Sequence, residues 1–143
     1  MQFVWIRAED AKMEDAYTLR KVVFVDEQGF SPDTDKDEID AVAWHIVGYD
    51  TNGIPQCTAR LFSEDKTAYH AGRIVVNRNL RGQGIGKKML LEIATKAQQC
   101  GAKILRLGAQ YDKVGFYEAC GFVPYGEIYL DENYPHRHMQ KEL

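Results

Sequence analysis

The segment from Arg73 to Lys88 constrains the fold more than any other. An apolar, β-branched run, Ile74-Val75-Val76, leads through a short polar stretch into Arg81-Gly82-Gln83-Gly84-Ile85-Gly86-Lys87-Lys88. Beyond it Ile85, Met89, Leu90, Ile93 and Ala97 recur at helical spacing, and Gly101 is placed to end the helix. A strand that turns through closely spaced glycines into an amphipathic helix has to lay that helix across a sheet. The first N–H groups of such a helix have no internal partner, and its dipole favours an anion there. The unit is therefore a natural cradle for a pyrophosphate, with Arg81, Lys87 and Lys88 adding positive charge beside it.

The flanking sequence alternates between strand and helix patterns. Strands are predicted at 2–7, 41–49, 54–62, 68–76, 104–109 and 122–130, and the tail from Arg137 can add another. Helices are predicted at about 10–25, 84–100 and 112–120. Asp50-Thr51-Asn52-Gly53 reads as a hairpin turn, so consecutive strands there run antiparallel. The later strand–helix–strand crossover makes part of the sheet parallel. The fold class expected is α+β, with a mixed, mostly antiparallel central sheet and helices on both faces. A length of 143 residues, 45% of them hydrophobic, suits a single domain over 1–143.

Charge and hydropathy narrow the class further. A net charge of -3 gives no footprint for nucleic acid. No apolar run approaches the length of a membrane span, and the start, Met1 to Arg7, lacks the pattern of a signal peptide. Cys57, Cys100 and Cys120 match no metal or redox spacing and read as reduced, small apolar residues. A cytoplasmic protein without a metal is expected. The acidic stretch from Gly29 to Asp40 reads as a solvated loop, with attraction of a cationic substrate as the other reading.

The glycine spacing separates the phosphate ligands. A dinucleotide fold needs Gly-x-Gly-x-x-Gly, whereas the glycines here alternate at 82, 84 and 86, and the phosphate-loop pattern of ATPases is also absent. Arg81-Gly82-Gln83-Gly84-Ile85-Gly86 resembles the Arg/Gln-x-x-Gly-x-Gly/Ala signature of the GNAT superfamily of N-acetyltransferases. Val114-Gly115-Phe116-Tyr117-Glu118-Ala119-Cys120-Gly121-Phe122 resembles the later motif of that family. Arg20, Val23-Phe24-Val25, Glu27-Gln28, Asp40, His45 and the ending Pro135-His136-Arg137-His138-Met139 are similar to a narrower, ElaA-like branch.

The resemblance implies that acetyl-CoA is the co-substrate and that the acceptor is a small-molecule or peptide amine. It implies that the backbone of Arg81, Gly82, Gln83, Gly84, Ile85, Gly86 and Lys87 holds the pyrophosphate. Ile74, Val75 and Val76 would lie along the pantetheine arm, at a bulge that frees a donor for the thioester carbonyl. Tyr117 matches the family's general acid, a phenol able to give its proton to a departing thiolate. Many members carry asparagine seven positions before that tyrosine; here the position is Gln110, a longer amide that can still donate and accept.

Phe116 and Phe122 are expected in the core. Four residues are candidates for the general base, Glu27, Asp40, His45 and His136, and Glu27 is preferred because it follows the first helix, where the family's acceptor pocket opens. His136 and His138 alternate, as paired metal ligands on one strand face do, but lack a third. A module that binds acetyl-CoA without turnover is the alternative function. Pairing of two copies through the last strands is a possible association.

Overall fold

A computed structural model describes all residues from Met1 to Leu143. The elements run β1 (Gln2–Ile6), α1 (Met13–Arg20), β2 (Trp44–Tyr49), β3 (Pro55–Ser63), β4 (Ala68–Val76), α2 (Ile85–Gln99), β5 (Ile104–Gln110), α3 (Val114–Ala119), β6 (Val123–Asp131) and β7 (Tyr134–Glu142). The strands form one seven-stranded sheet in the order β1-β2-β3-β4-β5-β7-β6. All neighbouring pairs are antiparallel except β4 and β5. No helix is long and apolar enough to cross a membrane.

Alternation along the strands builds two cores. Ile46, Ala59, Leu61, Ala71, Leu105, Leu107 and Ala109 face α2 and α3, packing with Met89, Leu90, Ile93 and Phe122. The alternate positions Val47 and Val75 face α1, packing with Met13, Ala16, Leu19 and Val23. Helices thus lie on both faces, as the period-two and helical patterns require. On the α1 side, however, the part of the sheet made by β5, β7 and β6 has no helix over it. There Gln110, Gly108 and Arg106 on β5 stand beside His136, His138 and Gln140 on β7.

The observed elements depart from the expected ones where side chains override periodicity. The first helix begins at Met13, not Asp10, and from Lys21 to Glu27 it widens into a π-helix. The β-branched Val22, Val23 and Val25 fit a regular helical turn poorly. The strand expected from Ala41 begins at Trp44, because Glu38–Ala41 is a 3-10 turn closed by a capping box between Asp37 and Asp40. The tail is a full strand from Tyr134, inserted between β5 and β6 and not added at an edge.

The acidic stretch is a solvated loop only in part, with Asp33 and Glu38 exposed. Asp35, Asp37 and Asp40 turn inward onto Arg20, Arg60 and Arg73. Arg20, only 1% exposed, donates from Nη1 and Nη2 to Asp40 at 2.8 and 3.0 Å and from Nε to Asp35 at 3.0 Å. Arg60 spans Asp37 at 2.6 Å and Asp40 at 3.0 Å. Burial opposes ionisation of Asp40, but the hydrogen bonds and charge of Arg20 overcome it and lower its pKa to about 2. Asp35 and Asp37 are therefore spent inside the protein and are not free to attract a cation.

Candidate active site

β4 and β5 pair only from Ala68–Ile104 to His70–Arg106. Beyond that point β4 stays with β3 and β5 stays with β7, so a slot opens through the sheet. The divergence has a local cause on β4. Thr58 pairs with Val75 while Arg60 pairs with Gly72, so Arg73 and Ile74 together oppose Ala59 as a bulge. Arg73 takes a left-handed backbone, φ 47°, which is costly for a residue with a Cβ. Its guanidinium holds it there, donating to the Asp35 carbonyl at 3.1 Å and to the Thr34 carbonyl and Asp37 carboxylate at 3.3 Å. The ionic cluster thus fixes the strand edge where Ile74, Val75 and Val76 border the slot.

The glycine turn lies at the open end of the slot. Gly82 and Gly84 have φ of 79° and 81°, and a Cβ at either would meet no atom but would force that strained conformation on an L side chain. Helical bonding starts only at Lys88, whose N–H donates to the Gly84 carbonyl at 3.1 Å. The N–H groups from Gly82 to Lys87 have no backbone acceptor in the chain. Gly86 admits the ring of Phe116, whose Cζ would lie 3.2 Å from a Cβ there. Phe116 is 42% exposed, contrary to the core expectation, and it borders the turn; Phe122 is buried as expected.

The Arg81 side chain turns back onto the protein. It donates from Nε to the Val76 carbonyl at 3.0 Å and from both terminal nitrogens to Glu27 at 2.5 and 2.9 Å. This clamp joins the end of the π-helix to the end of β4 and the glycine turn. Hydrogen bonding to Arg81 lowers the Glu27 pKa, and both carboxylate oxygens are engaged. That arrangement counts against the expected direct role of Glu27 as proton acceptor, since the charge that stabilises the carboxylate weakens it as a base. Gln110 donates to Gln28 Oε1 at 2.9 Å and ties the end of β5 to the same segment.

Tyr117 sits on α3, 8% exposed, edge-to-face with Phe116 and Phe122 at 5.1 and 6.0 Å. It belongs to the core cluster that includes Leu107 and Ala109, next to the diverging end of β5. Burial raises its pKa, so the phenol keeps its proton. Among the other candidate bases, Asp40 is locked between two arginines. His45 is buried on β2 with Nε2 3.0 Å from the Asp40 carbonyl, and burial lowers its pKa. His136 is buried on β7 opposite Gln110, its Nδ1 2.8 Å from the Tyr134 carbonyl. Arg20 enters the sequence reading only through the ElaA-like resemblance, and Arg60 and the partners of Arg73 are not signalled there, because residues so widely spaced give no local pattern.

Comparison with known proteins agrees with this geometry. The family model for the acetyltransferase (GNAT) domain matches residues 14–143. Protein ElaA of Escherichia coli is 31% identical over 128 residues, covering 87% of this chain and 84% of ElaA. The uncharacterized N-acetyltransferase YjcF of Bacillus subtilis is 30% identical over 138 residues, covering 96% of this chain and 97% of YjcF. The crystal structure of E. coli ElaA superposes with a TM-score of 0.85 at 28% identity, covering 99% of each chain. An acyl-CoA N-acyltransferase from Pseudomonas aeruginosa has the same fold, with a TM-score of 0.86 at 24% identity over 99% of each chain. A sheet split between β4 and β5, a glycine turn that leaves its amides free and a match over nearly the whole chain have one common explanation: this protein belongs to the GNAT acetyltransferase family, in its ElaA-like branch.

Proposed function

We propose that the protein is an acetyl-CoA-dependent N-acetyltransferase that moves the acetyl group to a primary amine by direct attack in a ternary complex. The observation that carries this reading is the slot between β4 and β5, opening onto the unspent N–H groups from Gly82 to Lys87. Those amides suit a pyrophosphate, with Lys87 and Lys88 exposed on the same turn. The diverging edge of β4 at Ile74, Val75 and Val76 suits the pantetheine arm, and a backbone N–H there can stabilise the oxyanion. Bound acetyl-CoA supplies an activated acyl carbon. The amine enters from the α1 face, where β5, β7 and β6 carry no helix. As the C–N bond forms and the C–S bond breaks, Tyr117 gives its proton to the sulfur. Three free cysteines, Cys57 buried with its thiol pushed up to about 11, suit a reducing, cytoplasmic setting.

Calorimetric titration with acetyl-CoA, with coenzyme A and NAD as controls, tests the cradle directly. Selective binding of the coenzyme A forms is expected. Gly84→Val places a β-branched side chain at φ 81° and should weaken acetyl-CoA at least about tenfold, since left-handed strain of about 1–3 kcal/mol reshapes the turn. Unaltered affinity would refute the cradle. Release of free thiol across an amine panel then separates turnover from mere binding.

A further inference from the structure

We propose that His136 is the general base of this acetyltransferase, accepting the amine proton at Nε2. The inference rests on the acetyltransfer reading above and assigns a group that reading leaves open. A carbonyl oxygen can only accept, so the 2.8 Å contact to the Tyr134 carbonyl requires a proton on Nδ1. In the neutral ring Nε2 then carries the lone pair, and no group of the chain hydrogen-bonds to it.

Position supports the role. His136 pairs with Gln110, the last residue of β5, at the mouth of the slot. Paired residues of neighbouring strands share a face. His136 therefore lies on the α1 face, while Tyr117 packs with Leu107 and Ala109 on the other. Proposed base and acid thus stand on opposite faces of the sheet, both beside β5, the strand that borders the slot. Tyr129 of β6 and Tyr134 of β7 lie against His136, with ring centroids 5.6 and 5.9 Å away; Asp112 is beside the Tyr134 hydroxyl, and His138, two residues along β7 on the same face, stacks on the same Tyr129. From β5 it meets the neutral Gln110.

The other candidates are engaged elsewhere. Glu27 is held by Arg81, Asp40 by Arg20 and Arg60, and His45 lies on β2, with β3 and β4 between it and the slot. His70 stands at the closed end, 3.6 Å from Glu64, and His138 is stacked between Tyr125 and Tyr129. In the proposed step one N–H proton passes from the amine to Nε2 as nitrogen bonds the acyl carbon. The C–S bond breaks and sulfur takes the Tyr117 proton. Solvent then returns imidazolium and phenolate to their starting states, with no change in oxidation state.

Two readouts test the assignment. Long-range proton–nitrogen NMR of the whole, ligand-free protein, with His136→Gln to assign the signal, should show neutral His136 protonated at Nδ1 alone. The Nε2–H tautomer would overturn the proposal without any acceptor being known. With an amine from the panel, His136→Gln should lower kcat by about 10²-fold or more while leaving acetyl-CoA affinity unchanged by calorimetry. The fall in kcat towards acid pH should vanish with it, and imidazole should restore part of the rate to His136→Gly. An unchanged kcat or a retained acid limb would overturn the assignment. Failure of the native protein to bind acetyl-CoA would instead overturn the acetyltransfer reading.

Discussion

At the scale of single residues, burial keeps Tyr117 protonated for the acid role proposed for it. Desolvation favours the neutral phenol, so its pKa is raised, and the proton stays in place across the working range. An acid must be protonated to act, so activity is lost only above its pKa. The alkaline limb of kcat should therefore lie above the ordinary phenol range of about 10. A pH–rate profile should stay level to about pH 9.5; a decline starting below pH 9 would remove a buried phenol from the mechanism. Tyr117→Phe should lower kcat by roughly 10²-fold with little change in acetyl-CoA affinity, read by calorimetry beside steady-state rates. Full activity of that variant would exclude Tyr117 as the acid. Glu27 shows the opposite effect: the guanidinium that engages both its oxygens makes it a clamp on the turn and a poor proton acceptor.

At the scale of elements, the slot depends on a bulge that the strand would not adopt unaided. Arg73 accepts a left-handed backbone because carbonyls of the 34–35 segment and Asp37 grip its side chain. Those aspartates are in turn placed by Arg20 on α1 and Arg60 on β3. The cluster ties helix, strand and loop into one unit behind the slot. Arg20→Ala would leave Asp40 and Asp35 buried with fewer partners and should cost about 3–5 kcal/mol in urea unfolding. A loss below about 1 kcal/mol would mean that water replaces the guanidinium. Cofactor affinity of any folded variant should also fall, because the edge of β4 is no longer fixed.

At the scale of the whole molecule, the same cluster sets how the protein meets acid. The folded pKa of Asp40 is about 2 against an ordinary 3.8, so its stabilisation is complete above about pH 4 and lost as pH falls towards 2. The difference amounts to about 2 kcal/mol. His45, whose pKa is lowered by burial, acts in the same sense earlier, since below 6.5 the unfolded chain takes a proton that the folded one resists. Urea midpoints should fall from about pH 6.5 downwards and steeply below pH 4, and Asp40→Asn should flatten the steep part. A midpoint constant from pH 6 to pH 3 would contradict this. The strand and helix order, the α+β class and the glycine turn were legible in the sequence, because periodicity and local backbone preference act over a few residues. The strand pattern marks Ala68–Val76 to the residue, and the alternating glycines at 82, 84 and 86 mark the turn into α2. The partners of Asp35, Asp37, Asp40, Glu27 and Gln110 were not legible, since each lies on a different element, 15 to 82 residues away along the chain. The sequence by itself determined which elements form and where the glycine turn lies. Only the tertiary structure decided which charges are spent on one another and which ring nitrogen is left free, because pairing across a sheet depends on register and burial that no local pattern records.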